Sequence, residues 1–125
     1  MIDRMNLLFT GASGFLGHNV LPLLKKKYSV ETIGLTSQDD YIVNLAAEIP
    51  KLTGKYDVIL HVAGKAHSLS KTEAEKRLFF DVNFQGTKNL CTALEQSGIP
   101  KSFIFISTVA VYGCDSGENI TEEYP

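Results

Sequence analysis

Between residues 10 and 17 the chain reads Thr10-Gly11-Ala12-Ser13-Gly14-Phe15-Leu16-Gly17. Three glycines, each separated from the next by two residues, follow a short apolar run and open an amphipathic one. Each has its own physical use. Gly11 permits a tight turn. Gly14 lacks the Cβ that would keep an anion away from the backbone. Gly17 allows a following helix to lie close to a sheet. A helix that starts here offers unpaired N–H groups and the positive end of its dipole, a combination suited to a diphosphate. A glycine-rich turn without a ligand is the alternative, but three glycines weaken a helix start without another evident benefit.

Other residues with chemical potential are scattered. His61 lies inside a β-branched run and reads as a packed strand residue, whereas Lys65 and His67 follow that run and fit either a substrate-facing or a solvated position. Cys91 and Cys114 form no C-x-x-C pair, which argues for a reducing compartment without a disulfide framework. The basic run Lys25-Lys26-Lys27 reads as a solvated helix end. With a net charge of −2 and a pI near 5.9, the chain lacks the basic footprint of nucleic-acid binding. No apolar stretch approaches the ~20 residues of a membrane helix, and residues 1–4 lead into a strand-like run rather than a secretory signal. The expectation is a cytoplasmic protein with no nucleic-acid or membrane partner.

The elements that must position these residues follow from hydrophobic patterning. Residues 5–9 form a buried strand that ends at the glycine turn. Residues 14–27 form a helix, with Pro22 an awkward guest that removes a backbone donor. Strands are expected over 30–35, 41–45, 57–63 and 102–107, and about two helical turns over 46–52. The longest helical segment runs over 71–96, with Gly98 and Pro100 as stop signals. Alternating strands and helices, with central strands apolar on both faces, imply a doubly wound parallel α/β sheet of about five strands. At 125 residues, 44% hydrophobic and 21% charged, the chain is one ordinary globular domain or a piece of a larger one.

With its preceding threonine, the T-G-x-x-G-x-x-G turn resembles that of the short-chain dehydrogenase/reductase superfamily. Three later segments narrow the likeness: DVILHVAG over 57–64, NFQGTKNL over 83–90 and FIFISTVAVYG over 103–113. In this order they resemble the extended branch, the NAD-dependent epimerase/dehydratase family of nucleotide-sugar enzymes, along nearly the whole chain. The resemblance implies an NAD(P)-binding Rossmann-like domain. Gly11, Ala12, Ser13, Gly14, Phe15, Leu16 and Gly17 would hold the cofactor diphosphate, and Asn44-Leu45 would meet the adenine, with Asn in place of the usual Asp. Val62, Ala63 and Gly64 would line the floor near the nicotinamide ribose. Asn83, which would help to organise the site, and Ser107 at the strand end would also belong to the cofactor-binding residues, and the neighbouring Thr108 would be the catalytic Ser/Thr. Tyr112 reads as packing.

The family's Tyr-x-x-x-Lys pair is missing: residues four beyond Tyr28, Tyr41, Tyr56 and Tyr112 are Thr32, Leu45, Leu60 and Ser116, and Tyr124 precedes only Pro125. The expectation is therefore an N-terminal portion, residues 1–125, truncated before the last strands and without a substrate domain. Alone it would be inactive, with its fifth strand left as an exposed edge. NAD is the expected cofactor on family frequency. NADP is not excluded, since 34–37 hold neither acid nor arginine and Asp39 and Asp40 come late. Val109-Ala110 stands where dehydratases have Asp-Glu, which leaves epimerase or reductase acting on a nucleotide sugar, with a homodimer possible. The alternative is a non-catalytic dinucleotide-binding or redox-sensing module.

Overall fold

A computed structural model describes residues 4–62 and 72–106, with backbone alone described at residues 78 and 79. The strands are β1 (Asn6–Thr10), β2 (Ser29–Gly34), β3 (Tyr41–Ile42), β4 (Val58–His61) and β5 (Ser102–Phe105). All pair in parallel in the order β3-β2-β1-β4-β5. The helices are α1 (Phe15–Leu24), α2 (Glu73–Phe80) and α3 (Gly86–Ser97). This is the doubly wound sheet expected from the sequence.

Strand alternation divides the core. Leu8, Ile33 and Ile59 point to one face and pack with Tyr56 and with Leu90 and Leu94 of α3. Full burial of one such aliphatic side chain stabilises the fold by roughly 2 kcal/mol. Since Leu90 and Leu94 are 0% and 3% exposed, α3 is held to the sheet chiefly by its apolar stripe. Leu7 and Phe9 alternate to the other face and are equally buried. The outer strand β5 is different: Phe103, Ile104 and Phe105 are 38–52% exposed, as expected of an apolar edge.

Several elements depart from the sequence expectation. Residues 46–52 are not helical. The Asn44 carbonyl accepts the N–H groups of Ala47 and Glu48, which makes a single turn, and the buried Pro50 has no N–H with which to extend it. The third strand ends at Ile42. Helix α1 runs through Pro22 but stops at Leu24, and the Lys26 and Lys27 N–H groups bond three residues back, to Leu23 and Leu24. The lysines therefore follow the helix instead of forming its last turn. The long helical segment is present from Glu73 to Ser97, but its middle turn, Asp81–Gln85, has the wider π-helical geometry and separates α2 from α3. Its end agrees with expectation: Gly98, at φ 139°, donates its N–H to the Leu94 carbonyl.

Candidate functional site

In this strand order the chain leaves β1 for β2 on one side, and β4 flanks β1 on the other. A crevice opens between such diverging connections at the carboxyl ends of the strands. The glycine turn lies there. Gly11 has φ 88°, a left-handed conformation that favours glycine, and its carbonyl accepts the Gly14 N–H at 3.1 Å. Gly14 caps α1 in an extended conformation, with no side-chain cap, and its carbonyl accepts the His18 N–H at 2.8 Å. The first N–H groups of the helix therefore have no intrahelical acceptor.

The second and third glycines serve different ends. A Cβ on Gly17 would overlap the Gly11 carbonyl and the Ala12 backbone, so close packing of α1 on its own turn demands glycine there. A Cβ on Gly14 would meet only the Gly11 carbonyl oxygen, at an ordinary 3.5 Å. Nothing in the described chain excludes a side chain from that place. The space is open, and a side chain would fill it. That is the fit expected of a turn built to accept a diphosphate against its backbone. Ser13, Gly14, Phe15 and Leu16 are exposed, Phe15 at 88%; Gly11 and Ala12 are half-buried.

Asn44 is exposed beyond β3, and its Oδ1 accepts the Ala46 N–H at 3.1 Å, an Asx turn that fixes the loop. Leu45 is half-buried against the core, and its carbonyl accepts the Asn89 Nδ2–H at 2.6 Å. Asn89 Oδ1 in turn accepts from Gln85 Nε2 at 2.9 Å. Val62 follows β4 directly, and Asn83 sits in the wide turn before α3. Ala63, Gly64, Ser107 and Thr108 lie outside the described residues, as do Lys65, His67 and Tyr112.

Between β1 and β4 the buried Thr10 and His61 face each other in register, with Thr10 Oγ1 and His61 Nδ1 2.6 Å apart. His61 Nε2 lies 2.8 Å from Thr87 Oγ1, which donates to the Asn83 carbonyl at 2.8 Å. The Phe103 and Phe105 rings stand beside the imidazole. Burial pushes its pKa down to about 4, so it is neutral at physiological pH. His61 is thus a packed strand residue, as expected, but also a fully engaged polar one.

At the end of β2 an acid is in place after all. The loop after Gly34 folds back so that Asp39 Oδ2 accepts the Thr36 N–H and Oγ1–H at 3.1 and 2.7 Å. The Asp39 carboxylate rests against Gly34, where a Cβ would collide with it. Sequence spacing alone places Asp39 too late, because it cannot count the residues a turn returns. Thr87 and Asn89 receive no role from the sequence either. The available signal is their helical spacing from Asn83 and Gln85, which puts polar groups on the buried face of α3. Among the described residues no cluster of His, Cys, Asp or Glu could hold a metal ion, and no helix is long and apolar enough to cross a membrane.

Comparison with known proteins agrees with this geometry. The model of the NAD dependent epimerase/dehydratase family matches residues 7–125. An N-acetyl-alpha-D-glucosaminyl-diphospho-ditrans,octacis-undecaprenol 4-epimerase of Escherichia coli O157:H7 is 32% identical over 96% of this chain. A UDP-glucose 4-epimerase of Vibrio cholerae is 33% identical over 86% of it. The chain spans 37% and 36% of those two relatives. A solved UDP-glucuronic acid 4-epimerase variant from Bacillus cereus, in complex with UDP-4-deoxy-4-fluoro-glucuronic acid and NAD, superposes with a TM-score of 0.76 at 25% identity. That superposition covers 97% of this chain and 45% of the other. A glycine turn at the switch point of a 3-2-1-4-5 parallel sheet and a family match along 7–125 lead to one conclusion: the chain belongs to the NAD-dependent epimerase/dehydratase family.

Proposed function

We propose that residues 1–125 are the dinucleotide-binding part of an NAD-dependent nucleotide-sugar epimerase or reductase. The observation that carries this reading is the open space above Gly14, at a turn whose Gly17 is fixed by packing but whose Gly14 is not. Gly11 to Gly17 hold the diphosphate, and Asn44 and Leu45 receive the adenine. Val62, Ala63, Gly64, Asn83 and Ser107 surround the nicotinamide end. Thr108 hydrogen-bonds the reacting hydroxyl or carbonyl of the sugar. When bound, NAD supplies a hydride acceptor. Asp39 favours NAD over NADP, because a carboxylate at the end of β2 suits a ribose 2′-hydroxyl and repels a 2′-phosphate.

The two relatives and the solved structure described above are 4-epimerases by name, which supports epimerisation, while a match to a GDP-6-deoxy-D-talose 4-dehydrogenase, 27% identical, keeps reduction as the alternative. This chain alone does not turn over a nucleotide sugar, since no tyrosine in it is followed four residues later by lysine. The non-catalytic module remains the second reading, favoured by that same missing pair.

Calorimetric titration of the chain with NAD and NADP tests the proposal, with Gly14→Val as the control. Binding of NAD that is lost in the folded control is expected. Equal binding by both proteins would remove the diphosphate assignment.

A further inference from the structure

Under the crevice, five groups are joined in series: the Val62 N–H, Thr10 Oγ1, the His61 imidazole, Thr87 Oγ1 and the Asn83 carbonyl. Their protons can be placed by elimination. A carbonyl only accepts, so the Thr87 hydroxyl proton goes to Asn83. Thr87 Oγ1 must then accept from His61, which puts the imidazole proton on Nε2. Nδ1 is left as an acceptor and takes the Thr10 hydroxyl proton. The Val62 N–H is shared at 3.1 Å between Thr10 Oγ1 and the Thr10 carbonyl. The bonds of the series run in one direction, from Val62 to Asn83. The series joins the last residue of β1, which enters the glycine turn, to the wide turn that interrupts the long helix. Residues 10 and 83 have no other short route through the sequence.

We propose that His61, held as the Nε2–H tautomer, is a positioning residue that sets the Asn83 turn relative to the glycine turn. Either ring nitrogen alone would anchor one side, and the imidazole bridges both. The proposed consequence for cofactor affinity rests on the dinucleotide reading above. The bridging itself does not.

The test has one arm without cofactor and one with it. In the first, the 15N-labelled chain is expected to show a protonated Nε2 and an unprotonated Nδ1 at His61. Thr10→Val is expected to speed amide exchange across residues 81–87 about tenfold, a change comparable with loss of one buried hydrogen bond, and Thr10→Ser is expected to restore it. The opposite tautomer, or unchanged exchange in Thr10→Val, would overturn the bridge. In the second arm, at a temperature where all variants are folded, Thr87→Val is expected to weaken NAD binding about fivefold, with recovery in Thr87→Ser. An unchanged NAD Kd beside a lowered Tm would reduce His61 to packing and overturn the positioning role. If the unmodified chain binds no NAD, the dinucleotide reading fails, and the exchange arm decides the bridge alone.

Discussion

Asp39 lies beyond the end of β2, yet its carboxylate returns to that end by accepting two hydrogen bonds from Thr36. The residue against which it rests is Gly34, where a Cβ would push the carboxylate from its place. One negative charge is therefore held at the end of β2, the place that the proposed dinucleotide reading gives to the adenosine ribose. Against a 2′-phosphate that charge is unfavourable, and against a 2′-hydroxyl it is an acceptor. Asp39→Asn keeps the shape and an oxygen for Thr36 but removes the charge. The preference for NAD over NADP should fall about tenfold, equivalent to about 1.4 kcal/mol, mostly through tighter NADP binding. Titration with both cofactors measures it, and an unaltered preference would place the selecting group elsewhere.

At the scale of elements, the glycine turn and α1 form one unit, and their glycines should respond differently to substitution. Gly17→Ala forces a Cβ into the Gly11 carbonyl and the Ala12 backbone, which cannot yield as a side-chain tip can. Overpacking of this kind costs about 1–3 kcal/mol, so urea unfolding should show a clear loss of stability. Gly14→Ala meets no such obstacle and should leave the unfolding curve close to that of the unmodified chain. Equal losses at both positions would mean that the turn is not arranged as described. This contrast was legible in the sequence only as three glycines with three assigned uses. The buried strands were legible too, because Leu7, Leu8 and Phe9, and the run from Val58 to His61, carry apolar character that no helix period explains. What was not legible depends on groups distant in sequence. Asn89 anchors the Leu45 carbonyl across 44 positions, and the Asp81–Gln85 turn contains no proline or glycine to announce it. The expected helical turns over 46–52 failed for a local reason, since Asn44 turns the chain with its own side chain and Pro50 stops further propagation.

The whole molecule bears the cost of keeping His61 neutral inside the sheet. Its pKa is lowered from 6.5 to about 4 by burial, while the unfolded chain protonates it near 6.5. Below pH 6.5 the unfolded state thus binds a proton that the folded state refuses. Stability from this group is complete above pH 6.5 and is lost progressively as pH falls towards 4. Between pH 7 and pH 5 the expected loss is about 2 kcal/mol, a large share of the stability of a domain this small. His61→Gln removes the titrating ring, so its stability should vary less with pH by that amount, while the carboxylates titrate alike in both proteins. Urea unfolding at the two pH values gives the difference. If the substitution prevents folding, the His61 imidazole resonances of the unmodified chain serve instead: they should stay at their neutral positions down to pH 5. A His61 ring that titrates near 6.5 in the folded protein would be open to water. The series from Val62 to Asn83 would then be too loosely held to join the two turns, so a single pH titration tests the fold at its buried imidazole and the bridge built on it.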